Sequence, residues 1–517
     1  MPSRRRFLKQ TLAATAAFGV VPAWARSGAA TSARRPIVVI GAGLAGLATA
    51  ERLSAAGETV LVLEARAAPG GRVRTWHGFA DGQIAEAGPT RIADVHRRCL
   101  ALAGRLGLPL EPCEATTGEV LLVHRGCRIG ATEACDLADP GLELAADERG
   151  LTAGALLERY AGDFAARLGD PDAALAAAAF WQDIDRLSWP EWLAIRGASP
   201  TAISLMTLGA NARELSALYV LRQMALHRPA RAYFRIAGGM NRLPATLAAR
   251  LGERVRYGVA VTRIEHDGGG ARVHAVWDRH IFAEGVRDRH DLGTKFGGTK
   301  FGTGANSRDR DGVRDGVRDG VRDRHEFSVE ARAVVVTLPP AALRSLALDP
   351  GLPAPQAHAI ENVRAYPATR YAVQTQSRSW QRAGLCGAAR TDAGVEIGEA
   401  SFGQPGSHGL LHATAYDPVG ASSAGSPSLL RGVDYAAEAF PGVTADFERG
   451  LALPWAREPL AGGAFAGFRP GQLAAMPSLL ARPTKCLHFA GEHTSPWTGW
   501  MEGALDSAER VCRELLA

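Results

Sequence analysis

Gly41-Ala42-Gly43-Leu44-Ala45-Gly46 has residue types and spacing suited to holding a pyrophosphate. The first glycine permits a tight turn, the second lets backbone approach the phosphates, and the third lets a helix pack closely on the preceding strand. Backbone N–H groups at the start of that helix then face the anion. Glu64 follows eighteen residues after Gly46, with Ala65 beside it; a carboxylate there accepts hydrogen bonds from ribose hydroxyls. Gly70-Gly71-Arg72-Val73-Arg74-Thr75 supplies a second close-approach turn and a phosphate-neutralising arginine. Together these features predict a dinucleotide site. Glu86-Ala87-Gly88-Pro89-Thr90-Arg91 adds a further glycine turn that ends on a guanidinium.

The elements that must position these groups are legible. Ile37 to Ile40 is a short apolar, β-branched run, the pattern of a buried parallel strand. Leu44 to about Ala56 reads as a helix and Val60 to Leu63 as a second strand, which completes a β-α-β unit. Residues 151–231 are alanine-rich and helical in pattern, with starts at Trp189-Pro190-Glu191-Trp192 and Ala198-Ser199-Pro200. Strands are expected over 254–264, 271–276, 334–338, 371–376, 409–416 and 486–490, and a final helix from Met501 to Leu516. Residues 278–325 repeat Gly-Val-Arg-Asp and Gly-Thr-Lys-Phe-Gly; with few apolar side chains they are expected to be a disordered insertion in a loop between two strands.

The motifs GAGLAGL, EAR, GGRVRT, Gly491-Glu492 and Gly499-Trp500-Met501-Glu502-Gly503-Ala504 resemble those of the flavin amine oxidases, which include monoamine, polyamine and L-amino acid oxidases. The resemblance implies an α/β fold in which a Rossmann-like FAD-binding domain (residues 35–100, 235–277, 326–344 and 455–517) is interleaved with a substrate domain of mixed sheet and helices (101–234 and 345–454). It implies one FAD held by Gly41, Gly43, Leu44, Ala45, Gly46, Glu64, Ala65, Gly71, Arg72, Gly88, Pro89, Thr90, Arg91, Val261, Glu492, Gly499, Trp500, Met501 and Ala504. No cysteine stands in Gly462-Gly463-Ala464-Phe465, where the family carries its covalent attachment point, so the FAD is expected to be non-covalent.

Gly88-Pro89-Thr90-Arg91 is similar to the Gly-Pro-x-Arg of L-amino acid oxidases, in which the arginine pairs with the substrate carboxylate. Arg91 and Trp500 are therefore the expected catalytic residues. The implied reaction is oxidative deamination of an L-amino acid to keto acid, ammonia and hydrogen peroxide by hydride transfer to flavin N5. Three alternatives stand beside it: an amine or polyamine oxidase, a dehydrogenase or desaturase with a non-oxygen acceptor, and a flavoprotein that turns over nothing. The stretch after Pro339-Pro340, where the resemblance leads one to look for a lysine near the flavin, has none, which bears on the electron acceptor. Glu399 is a candidate either for the pocket or for the surface, and His493 reads as structural.

Composition narrows the class further. Ser3-Arg4-Arg5-Arg6-Phe7-Leu8-Lys9, an apolar run to Val21 and Ala23-Trp24-Ala25 match a twin-arginine export signal over residues 1–25. The expectation is a periplasmic or secreted protein that meets the twin-arginine translocase during export. Without that segment the 59 basic residues become 55 against 53 acids, so the charge argues for neither nucleic acid nor stable membrane insertion. Seven cysteines lack C-x-x-C spacing, which disfavours a metal site. A disulfide among Cys113, Cys127 and Cys135 is the alternative to buried free thiols. The expected partners are a small amine or amino acid and a second copy of the chain in a homodimer.

Overall fold

In the computed structural model the described residues are 35–113, 118–139, 141–168, 179–209, 212–278, 324–416 and 429–517. The proposed export signal and almost all of the repetitive segment lie outside them. Among the described residues, no helix is long and apolar enough to cross a membrane.

The β-α-β unit forms where its pattern places it: strand Ile37–Ile40, helix Leu44–Ala55, strand Val60–Glu64. These strands belong to a five-stranded parallel sheet ordered Val255–Tyr257, Val60–Glu64, Ile37–Ile40, Ala333–Val336, Leu487–Phe489. Side chains alternate across a strand, and both faces of this sheet are covered. Ile37 and Val39 pack with Leu47, Leu505 and Val511 under helices Leu44–Ala55 and Met501–Leu516. Val38 and Ile40 pack with Ile264, Val273 and Ala275 of the sheet below. Such two-sided burial explains the continuous apolar strands, and each fully buried valine contributes about 1.5–3 kcal/mol.

The lower layer is a four-stranded sheet ordered Arg324–Ala331, Ala271–Asp278, Val259–His266, Ala347–Asp349. Here the expectation of one strand over 254–264 is corrected. The chain turns at Gly258, with φ +71°, so Val255–Tyr257 joins the parallel sheet and Val259–His266 joins the sheet below. Glycine tolerates that backbone and a β-branched residue does not. Strands Ala271–Asp278 and Arg324–Ala331 are antiparallel partners, with Asp278 opposite Arg324. The repetitive segment therefore departs from and returns to adjacent ends of one ribbon.

A seven-stranded sheet, ordered Phe447–Pro454, Thr369–Thr375, Gly409–Ala415, Val395–Glu399, Leu385–Thr391, Glu119–His124, Cys127–Gly130, forms the other large body. One face is apolar: Tyr371, Val373, Leu411, Ala413, Val395, Ile397 and Ala389 pack under helix Leu429–Ala439. Among the described residues, short helices also lie within 153–167, 179–206 and 212–227. Ser188 caps Trp189–Ile195 in a reciprocal capping box with Glu191, and Ser199 caps Pro200–Met206, as serine before a proline-led turn dictates. None of the seven cysteines is joined in a disulfide, Cys113, Cys127 and Cys135 included, and five are buried.

Candidate active site

One cavity of about 880 Å³ runs between the parallel sheet and the polar face of the seven-stranded sheet. Of the residues predicted to hold the cofactor, Gly41, Gly43, Leu44, Ala45, Glu64, Ala65, Gly71, Arg72, Gly88, Pro89, Thr90, Arg91, Val261, Glu492, Gly499, Trp500, Met501 and Ala504 line it. Gly46 does not. A Cβ there would lie 2.1 Å from the Gly41 carbonyl oxygen, so its task is to seat the helix on the turn.

The cradle fits a dinucleotide on grounds independent of the motif. Helix Leu44–Ala55 starts with no side-chain cap and no acid in its first turn, which leaves its leading N–H groups for a ligand. A Cβ built on Gly43 meets nothing within 4 Å, and one on Gly71 meets only the Gly43 Cα at 3.4 Å. These positions are bare toward the cavity, as close approach of a phosphate requires. Glu64 is buried at the strand end; its Oε2 accepts from Ala42 N–H (2.6 Å) and its Oε1 from Arg66 N–H (2.8 Å). Burial raises its pKa above the ordinary value. Each oxygen keeps a lone pair for a hydroxyl.

The amino- and carboxy-terminal motifs meet through Glu492. Its Oε1 takes the Arg72 Nη1–H at 2.8 Å and the Ala466 N–H at 3.1 Å; its Oε2 takes the Gly499 N–H at 2.8 Å. Arg72 also reaches the Ala464 carbonyl. The turn carrying Arg72 is itself zipped to the turn carrying Arg91. Thr75 and Trp76 pair with Glu86 and Ala85, and a Cβ on Gly88 would lie 2.1 Å from Arg72 O. His493, next to Glu492, is buried, is pushed by burial down to about 4, and does not line the cavity.

The end of the cavity at Arg91 carries more charge than the motifs announce. Arg91 Nη2 lies 3.6 Å from Glu396 Oε1, and its guanidinium sits 4.9 Å over the Tyr233 ring. The sheet register places Arg370 opposite Thr414, Thr414 opposite Glu396, and Glu396 opposite Arg390, a polar row that lines the cavity. His412 stands in the next row with Ala372 and Gly398, and burial beside Arg370 and Arg91 holds it well below its ordinary range, hence neutral. Arg370 donates to Gly88 O at 3.2 Å, while its buried Nε has no hydrogen-bond partner among the described residues. Burial lowers the Arg370 guanidinium and raises the Tyr416 phenol, so Tyr416 is a neutral donor. Trp500 forms a wall with its Nε1–H on Gln223 Oε1 (3.1 Å).

Arg370, Glu396, His412 and Tyr416 were not singled out in the sequence. Their signal is period-two alternation with the apolar residues between them, visible once the strands are known to have one buried and one cavity-facing side. The surface alternative for Glu399 is corrected. The pocket alternative holds: Glu399 is buried, lines the cavity, and takes hydrogen bonds from Trp380 Nε1 (3.1 Å), Gln381 Nε2 and Ser401 Oγ (2.8 Å) beside helix Ser379–Arg382. Arg344 donates to Ile360 O and Val363 O and does not line the cavity.

Known proteins agree with this arrangement at the level of fold and family. An L-amino acid oxidase from Lachesis muta is 24% identical over 94% of this chain and 88% of its own length. One from Echis ocellatus is 25% identical over 94% and 90%. The structure superposes on putrescine oxidase bound to putrescine with a TM-score of 0.73 and 20% identity, covering 94% of this chain and 99% of that one. Cyclohexylamine oxidase from Brevibacterium oxydans IH-35A gives 0.71 and 23%, covering 94% and 100%. The sequence matches the flavin containing amine oxidoreductase family over residues 44–286 and 307–516. With that match across most of its length, the chain belongs to the flavin-containing amine oxidoreductases and is an oxidoreductase of C–N bonds.

Proposed function

We propose that this enzyme is an L-amino acid oxidase, with FAD bound non-covalently, that converts an L-amino acid to keto acid, ammonia and hydrogen peroxide. The observation that carries the reading is the placement of Arg91: a guanidinium facing the cavity where the cofactor cradle meets the polar face of the large sheet. A planar guanidinium matches a carboxylate with two parallel hydrogen bonds. Bound FAD would supply the two-electron acceptor for the Cα–N bond. Arg91 would fix the carboxylate, Tyr416 would offer a neutral O–H, and Trp500 would close the wall against water, so that Cα–H has one orientation. The buried histidines beside the site are neutral and repel neither the amine nor the guanidinium.

Glu396 favours a second reading. Its carboxylate faces the same space, 3.6 Å from Arg91, and would hold a substrate ammonium if Arg91 kept only its protein partners. The enzyme would then oxidise amines to aldehydes. Export through the twin-arginine route belongs to the proposal too and rests on Arg4, Arg5 and Arg6 ahead of an apolar run; a twin-lysine change that traps the protein in the cytoplasm is its test.

The deciding experiment mixes the purified flavoprotein anaerobically with L-amino acids and with the corresponding amines. Bleaching of the flavin by amino acids, with keto acid as product and loss in Arg91→Ala, supports the first reading. Bleaching by amines alone, with aldehyde as product, establishes the second. Bleaching by amino acids without peroxide on reoxidation would replace oxygen by another acceptor.

A further inference from the structure

Behind Trp500 lie two histidines that do not line the cavity, His96 and His227. Their nitrogens stand 3.1 Å apart, Nε2 to Nε2. The other nitrogen of each is committed to backbone. His96 Nδ1 receives the Ala93 N–H at 3.1 Å, so it carries no proton. His227 Nδ1 lies 2.9 Å from the Gln223 carbonyl oxygen, so it carries one. A neutral imidazole has one N–H and one bare nitrogen. Both tautomers are then determined: His96 Nε2–H donates to the bare His227 Nε2. A second proton on either ring would set two donors face to face. Burial also disfavours it, pushing His96 down to about 3 and lowering His227, with the Arg91 charge acting the same way.

This chain of bonds spans the two residues expected to meet substrate. Ala93 ends the short strand that follows Arg91, and it pairs with Tyr233, whose ring lies under the Arg91 guanidinium. At the other end, Gln223 gives its backbone carbonyl to His227 and its side chain to Trp500 Nε1 and Thr498 O. Both imidazoles also pack on the Trp500 ring, with centroids at 4.9 Å from His96 and 4.3 Å from His227.

We infer that His96 and His227 are positioning residues, a tautomer-locked pair that sets the Arg91 turn and the Trp500 wall in register with each other. The inference rests on the reading that Arg91 receives a carboxylate. The functional link is the His96-to-His227 bond, which needs an acceptor at the ε position of residue 227. His227→Gln keeps such an acceptor, whereas His227→Asn keeps only the δ-position donor to Gln223.

The test uses flavin-loaded protein and two readouts. The first is the affinity for benzoate, a bare carboxylate, followed by its perturbation of the flavin spectrum. The second is the separate kcat and KM for the amino acid that bleaches the flavin best. Loss of a buried hydrogen bond that strands its partner corresponds to roughly 10- to 100-fold. In His227→Asn, benzoate affinity and kcat should both fall by that factor at unchanged flavin content, and His227→Gln should restore most of each. His96→Asn breaks the same bond from the other side while keeping an acceptor for Ala93 N–H; it should lower both by the same factor, and wild-type kinetics and benzoate affinity there would overturn the inference even if His227→Asn fails to retain flavin. Wild-type kinetics and benzoate affinity in His227→Asn would overturn the inference while leaving the Arg91 reading intact. No difference between wild type and Arg91→Ala in benzoate affinity would overturn both.

Discussion

Glu86 offers a quantitative test of how the cavity wall is built. It is buried between the Arg72 turn and helix Arg242–Leu251, where its Oε1 accepts from Met240 N–H at 2.8 Å and its Oε2 from Thr75 O–H at 2.8 Å. Those bonds and the nearby Arg235 and Arg370 favour the carboxylate, yet burial outweighs them and pushes its pKa from 4.5 up to about 7. A folded pKa above the unfolded one means stability that is whole below pH 4.5 and lost as pH rises to about 7. The unfolded chain releases its proton across that window and the folded chain does not. A shift of roughly 2.5 units at 1.36 kcal/mol each gives about 3 kcal/mol. Glu86→Gln keeps the shape, an acceptor for Met240 and a donor for Thr75, and it cannot ionise. Urea unfolding of the flavin-loaded protein from pH 4 to 8 should therefore show wild type losing about 3 kcal/mol relative to Glu86→Gln. A difference between the two that stays flat within 1 kcal/mol would refute the assignment of a neutral buried carboxyl.

Further outcomes follow from the same geometry. Arg91→Ala should lower kcat/KM for amino acids by roughly 30-fold to several thousandfold, the 2–5 kcal/mol of a truncated buried charge pair, with Arg91→Lys recovering little because an ammonium lacks the planar fork; stopped-flow flavin reduction measures both. Glu492→Gln removes the charge that holds Arg72 and should cost on the order of 3 kcal/mol of holoprotein stability, read as flavin loss on dialysis by the 450 nm to 280 nm absorbance ratio. Gly46→Ala forces a Cβ to within 2.1 Å of Gly41 O and should yield protein without flavin. Replacing residues 279–323 by Asn-Gly should leave a flavin-loaded enzyme with unchanged kcat, because Asp278 and Arg324 already face each other across the ribbon as a two-residue turn requires; loss of flavin on that deletion would show that the segment takes part in the fold.

The local patterns read most directly were those whose physics is local. A β-branched run before a glycine turn, an alanine-rich helix after it and an acid at the end of the next strand can be read without knowing any contact, because each is a backbone or solvation requirement. Gly258 shows the limit. The alternation over 254–264 is continuous in sequence, and only the positive φ at the glycine sends its two halves into different sheets. Arg370, Thr414 and Glu396 show it again: they lie on three strands, far apart in sequence, and become one polar row through register alone. Glu399 reads as solvent-facing or cavity-facing with equal right until Trp380, Gln381 and Ser401 are packed around it and leave it buried at the cavity wall.

By itself the sequence determined the glycine-rich cradle, the parallel strands that carry it and the presence of an arginine at its edge, since close backbone approach and two-sided burial each demand particular residue types at short, fixed spacings. What the tertiary structure alone decided is the cavity wall opposite the cradle: which positions of the large sheet stand beside Arg91, and which bonds hold Trp500 there. Those are non-local pairings, set by strand register and by side chains such as His96 and His227 that come together from distant segments, and no spacing along the chain encodes them.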